Sequence, residues 1–158
     1  MRVTIIADAS FCPNTHAAGY GFWIASQRGK RGGSGGIKTH VVNNIASEMM
    51  ALINGLHKAQ KWGLVQTGDQ VLLQTDCQSA ISAFEGRRNK ISNQECELVQ
   101  YMLKFIAAVG IQVTYKHVKG HTVGEMSKAP RHYINNQCDK WAYQAMLGVR
   151  RKIQGAVK

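Results

Sequence analysis

The chain has 158 residues, of which 44% are apolar and 18% charged, proportions that suit one globular domain and exclude a disordered chain. Lys and Arg outnumber Asp and Glu by 20 to 9, a formal net charge of +11, which favours a polyanionic partner. No apolar run reaches membrane-spanning length. Cys12, Cys77, Cys96 and Cys138 are scattered without CxxC pairing, and the amino terminus is not signal-like. They read as reduced thiols of a cytoplasmic protein rather than a disulfide or zinc framework.

In chain order, Arg2–Ser10 reads as a first strand, β-branched and leading into Asp8, with the turn-forming Cys12-Pro13-Asn14-Thr15 after it. Gly19–Ser26, aromatic and apolar, reads as a second strand. The stretch 27–36 holds five glycines and three basic residues and reads as a turn; it lacks the Lys-Ser/Thr ending of a P-loop. Ile37–Asn43 is then expected to be a third strand, completing an antiparallel meander. At Ile45 the period changes. Ile45, Ala46, Met49, Leu52, Ile53 and Leu56 fall on one stripe of a helix ending near Gly63. Glu48 lies on the flank of that stripe in the first turn, where a solvated glutamate suiting the helix dipole is the plainer explanation.

Val71-Leu72-Leu73 reads as a short buried strand ending on Thr75-Asp76, and Cys77–Phe84 as the helix that follows. A carboxylate at that junction stands at the carboxyl end of the sheet, where open α/β folds place ligands, although Asp is also a favoured helix cap. The polar, basic connection 85–93 leads to an amphipathic helix, Gln94–Ala108, and Ile111–Val118 alternates as a strand. This spacing implies parallel pairing through right-handed crossovers. A long irregular stretch, 122–134, separates Lys119-Gly120-His121 from a last helix, Asn135–Leu147, with Asp139 on the flank of its packed face. The expected organisation is a domain over 1–148 followed by a basic tail, 149–158.

Asp8, Glu48, Asp76 and Asp139 are four of only nine acids, and each stands where secondary structure aims it at one sheet edge. Clustered carboxylates repel, and hard divalent cations relieve the repulsion. A metal pair about 4 Å apart suits phosphodiester hydrolysis. An acidic, metal-binding spot on a basic domain is the charge pattern of a nuclease.

These residues carry a resemblance. IIADAS with Asp8, NNIASEMMAL with Glu48, LLQTDCQSA with Asp76, VTYKHVKGHT with His121 and NNQCDKWA with Asp139 together resemble the type 1 ribonuclease H family over nearly the whole chain. The resemblance implies an α/β fold with a mixed five-stranded sheet, order 3-2-1-4-5, and helices on both faces. It implies endonucleolytic hydrolysis of the RNA strand of RNA–DNA hybrids by a monomer using two Mg²⁺ ions, with Mn²⁺ as a substitute, leaving 5′ phosphates. Asp8, Glu48, Asp76 and Asp139 match the metal ligands, and His121 matches a histidine assisting catalysis and product departure. By itself His121 would read as a surface loop histidine. Asn14 and Asn44 match contacts to the DNA phosphate and an RNA 2′-hydroxyl, Asn43 stands where a threonine often helps hold phosphate, and Asn135 has a supporting part. The chain departs from the family at Ala9, where glycine is usual, and in its longer loop between His121 and Asp139. The basic protrusion of many bacterial members is missing, with Arg87, Arg88 and Lys90 standing in. Two rivals remain: a resolvase- or integrase-like nuclease of the same fold, against which the four acids in these contexts and Gly120-His121 weigh, and a nucleic-acid-binding module without catalysis, against which the four intact acids weigh.

Overall fold

The computed structural model of the chain describes residues 1–119 and 130–156. Strands β1 (Arg2–Phe11), β2 (Ala18–Ser26) and β3 (Gly29–Ile37) are followed by helix α1 (Asn44–Lys61), strand β4 (Gln70–Thr75), helices α2 (Gln78–Phe84) and α3 (Asn93–Val109), strand β5 (Gln112–His117) and helix α4 (Pro130–Ala156). The strands form one mixed sheet in the order β3-β2-β1-β4-β5. β1 pairs antiparallel with β2, Asp8 opposite Gly21, and parallel with β4, Ile6 beside Gln74. β5 joins β4 in parallel. The expected order and mixture of directions hold.

Alternation along β1 sorts its side chains. Val3, Ile5 and Ala7 enter the main core with Phe22 and Ile24 of β2 and Met49, Leu52 and Leu56 of α1. Asp8 therefore belongs to the opposite set, with Thr4 and Ile6, on the face that α4 crosses. There α4 lies almost on the backbone of β2. A β-carbon at Gly19 would collide with the Met146 backbone nitrogen, and one at Gly21 would stand 2.9 Å from the Trp141 β-carbon. Only glycine permits this approach.

Two expectations are corrected. The glycine-rich stretch is not a turn but strand β3, and 38–43, expected as most of a strand, lies outside the sheet. Glycine is a poor strand former when nothing packs on it. Here neighbouring side chains fill the vacant places: Trp23 and Trp141 over Gly32, Phe22 over Gly33, Tyr20 over Gly35 and Val149 over Gly36. The last helix is also longer than expected, beginning at Pro130 rather than Asn135 and continuing through the basic stretch to Ala156. Proline suits a first turn, where its missing N–H is not needed. Val149 packs with Cys12, Ala17 and Met146, which gives the helix reason to continue. His121 and residues 122–129 of the expected loop lie outside the described residues. Among those described, no helix is long and apolar enough to cross a membrane.

Candidate metal centre and nucleic-acid interface

The carboxyl ends of β1 and β4 and the first turns of α1 meet at one edge of the sheet. Asp8 comes from β1, Glu48 from α1 and Asp76 from the residue after β4, and one carboxylate oxygen from each lies within 4.8 Å of the others. Asp139 of α4 joins them around a cavity of about 410 Å³ that Ala9, Ser10, Phe11, Asn44 and Cys77 also line. Asp8 and Glu48 are 2% and 5% exposed, so Glu48 is packed rather than solvated, against the plainer expectation for it. Asp76 and Asp139 are half-buried. The four acids singled out in the sequence therefore do share one place.

The backbone N–H of Ala9 donates to Asp8 Oδ1 at 2.9 Å and to Glu48 Oε2 at 3.1 Å, tying the two carboxylates to each other. Asp8 Oδ2 is buried with no hydrogen-bond partner among the described residues. Burial first, then the charges of Asp76 and Asp139, push the Asp8 carboxyl up to about 8. Glu48 is also raised, by burial and then by the charges of Asp8 and Asp76. Acids so shifted are short of counter-charge among the described residues. The buried Cys138 thiol, 3.7 Å from the Ile6 carbonyl, is pushed up by burial and by the charges of Asp8 and Asp139.

The remaining sequence candidates are spread around this centre. Asn44 is exposed and lines the cavity. Asn43 caps α1, its Oδ1 accepting from Ala46 N–H at 2.8 Å. Asn14 is exposed in the turn after β1. Asn135, one turn before Asp139, is buried, and its Oδ1 has no partner among the described residues. Arg87 pairs with Glu85 at 3.2 Å and Arg88 with the buried Glu95 at 3.0 Å, while Lys90 is exposed. The basic connection is thus partly neutralised, and none of its three cations lines the acidic cavity. Sequence reasoning missed Ala9 N–H, which has no side-chain signal.

The RNase H family model matches residues 1–147. No curated protein sequence is matched by the chain. Among solved structures, the N-terminal RNase H domain of a Mycobacterium tuberculosis protein, studied as a fusion with maltose-binding protein, superposes with a TM-score of 0.70 at 21% identity, covering 96% of this chain and 97% of that one. RNase H1 from the halophilic archaeon Halobacterium salinarum gives 0.70 at 21%, covering 92% and 98%. LC11-RNase H1, in complex with an RNA/DNA hybrid, gives 0.70 at 18%, covering 99% of each chain. At these identities the structures establish a shared fold, and the family match over 1–147 carries the assignment. The chain belongs to the RNase H family, nucleases of RNA–DNA hybrids.

Proposed function

We propose that this chain is an endoribonuclease that hydrolyses the RNA strand of RNA–DNA hybrids and leaves 5′ phosphates, as a monomer, with two Mg²⁺ ions held by Asp8, Glu48, Asp76 and Asp139. The observation that carries this reading is the convergence of Asp8, Glu48 and Asp76 within 4.8 Å on a domain of net charge +11. An all-carboxylate donor set suits hard divalent cations. Asp8 Oδ2, without a hydrogen-bond partner among the described residues, and the raised acids fit a site built around positive charge. Bound there, divalent ions, Mn²⁺ substituting for Mg²⁺, supply phosphate charge neutralisation and a more acidic water.

The chain's own residues supply position and selectivity. Ala9 N–H fixes Asp8 against Glu48. Asn44, at the mouth of the cavity, offers an amide to the 2′-hydroxyl, the group that separates RNA from DNA. Asn14 and Asn43 meet the sugar-phosphate backbone, and Lys90, with Arg87 in part, adds phosphate attraction along the duplex, whereas Arg88 is held by the buried Glu95. Asn135 supports the turn that bears Asp139, and His121 carries protons to or from water or the leaving oxygen.

The test is cleavage of an end-labelled hybrid with and without Mg²⁺, beside the same sequence as duplex DNA and as a branched junction. Internal cuts in the RNA strand alone, ending in 5′ phosphate and stopped by chelation, are expected. Equal cutting of duplex or junction DNA would move the chain to another nuclease of this fold, and binding of hybrid without cutting would make it a binding module.

A further inference from the structure

Residues 38–43, between β3 and α1, have no strand partner among the described residues, yet side chains hold their end. Gln94, in the first turn of α3, accepts from Val42 N–H at 2.9 Å and donates from Nε2 to the His40 carbonyl at 2.8 Å. These are the two bonds a neighbouring strand would have made. Glu95 accepts from Asn43 Nδ2 at 3.4 Å. From the other side, His16 donates through Nδ1 to the Val41 carbonyl at 2.6 Å. Asn43 also caps α1, so its side chain joins the start of α1 to the start of α3. Asn44 and Glu48 follow on α1 and line the acidic cavity.

Glu95 is 2% exposed, a cost that a carboxylate recovers only through hydrogen bonds. Both of its oxygens are engaged: Oε1 with Arg88 at 3.0 Å, and Oε2 with Ser92 N–H at 2.9 Å and with Asn43. Capping α3 requires only the reciprocal bonds between Ser92 and Glu95. The bonds from Gln94 to residues 40 and 42, and from Glu95 to Asn43, do nothing for α3 itself. All of them act on the segment that leads into Asn44.

We infer that Gln94 and Glu95 are positioning residues that hold Asn43 and Asn44 against the hybrid and thereby set the preference for RNA–DNA hybrid over DNA duplex. The inference rests on the hybrid-cleaving reading above. Gln94 fixes the backbone of the segment, and Glu95 holds the Asn43 amide with its oxygen turned to Ala46. Asn44 is then the exposed amide at the cavity mouth. Asp8 and Asp76 come from β1 and β4, so loosening this clasp leaves them in place.

The experiment compares wild type, Gln94→Ala, Gln94→Glu and Glu95→Gln. It reads steady-state KM and kcat on hybrid, and Kd for hybrid and for DNA duplex by fluorescence anisotropy in EDTA. Gln94→Glu keeps the acceptor for Val42 and loses the donor to His40, so it tests the clasp if the alanine variant fails to fold. For Gln94→Ala, KM on hybrid should rise roughly five- to tenfold, the scale of a lost hydrogen bond, with kcat within about twofold of wild type. The hybrid Kd should rise toward the duplex Kd, which should not move. Gln94→Glu and Glu95→Gln should shift the same ratio by less. Asn44→Ala should add less in the Gln94→Ala background than alone. A lower melting temperature with unchanged KM and Kd ratio would make the clasp purely structural and overturn the inference, as would loss of kcat at constant KM. Wild-type protein without preference for hybrid overturns the hybrid reading as well, whereas wild-type preference retained in every variant overturns this inference alone.

Discussion

Asp8 shows what the four acids do to one another and how that can be measured. Its carboxyl titrates at about 8 because of burial and the charges of Asp76 and Asp139, against about 4 in an unfolded chain. A proton retained in the fold but lost on unfolding stabilises the metal-free protein at acid pH. That contribution is fully present below about pH 4 and is lost as pH rises toward 8. Glu48, raised in the same direction, adds to it. Melting curves in EDTA should therefore fall between pH 5 and pH 8, and Asp8→Asn should flatten them. Mg²⁺ should raise the melting temperature more at pH 8 than at pH 5, where protons compete for the same oxygens. A melting temperature equally responsive to Mg²⁺ at both pH values would show that the cation binds elsewhere. Asp76→Asn removes one of the charges that raise Asp8, so the metal-free variant should be more stable than wild type near pH 8. Its hybrid cleavage should nonetheless fall by more than roughly 100-fold, beyond what loss of an outer-shell partner costs. Retained turnover in Mg²⁺ would remove Asp76 from the metal ligands. The meeting of these acids was legible because strand ends and helix starts have predictable addresses. Ala9 N–H, which binds Asp8 to Glu48, was not, since every residue but proline carries the same donor.

The elements show where reading by pattern works and where it stops. β1, β4 and α1 declared themselves through alternation, a short apolar run and a helical stripe, all of which report burial of a residue's own side chain. β3 did not, because its glycines are covered by side chains from elsewhere, and sequence pattern is blind to a partner's contribution. The length of α4 was hidden for a related reason. Its basic last turns look like a solvated tail, yet Val149 seats against Gly36 and the cluster of Cys12, Ala17 and Met146. Deleting residues 149–158 should therefore lower the denaturant midpoint, and an unchanged midpoint would show that the last turns only extend the helix. Gly21 offers a sharper test of the close packing between α4 and β2. A β-carbon there would collide with the Cys138 carbonyl and lie 3.1 Å from Ala142 N, both backbone atoms that cannot turn aside. Gly21→Ala should cost about 1–3 kcal/mol or more, as overpacking does. Because Cys138 precedes Asp139, hybrid cleavage should fall along with stability. A variant as stable and active as wild type would mean that α4 rides farther from the sheet.

Over the whole molecule the surplus of positive charge should govern affinity, but its cations are not equivalent. Binding of a polyanion releases counterions, so the logarithm of affinity for hybrid should fall linearly with the logarithm of salt concentration. Arg87, Arg88 and Lys90 look like one basic cluster in sequence, yet they have different partners. Lys90 is exposed, so Lys90→Ala should weaken binding to hybrid and duplex alike and reduce the salt slope by about 1, the share of a single phosphate. Arg87 shares its charge with the exposed Glu85, and its replacement should reduce the slope by less. Arg88 stands apart because its partner is buried. Burial pushes the Glu95 carboxyl up, but bonds from Ser92 and Asn43 and the charge of Arg88 outweigh it and hold the group below its usual value. A depressed carboxyl stabilises the fold above its unfolded pKa of about 4.3 and loses that contribution as pH falls through the folded value. Arg88→Ala should therefore lower the melting temperature at pH 7, and the difference from wild type should shrink as pH drops below about 4 and Glu95 takes up a proton. Lys90→Ala should leave the melting temperature unchanged at every pH. If Arg88→Ala instead behaves like Lys90→Ala, changing only the salt slope, then Arg88 faces nucleic acid rather than Glu95. The connection 85–92 would in that case be a three-cation contact, as its sequence suggested.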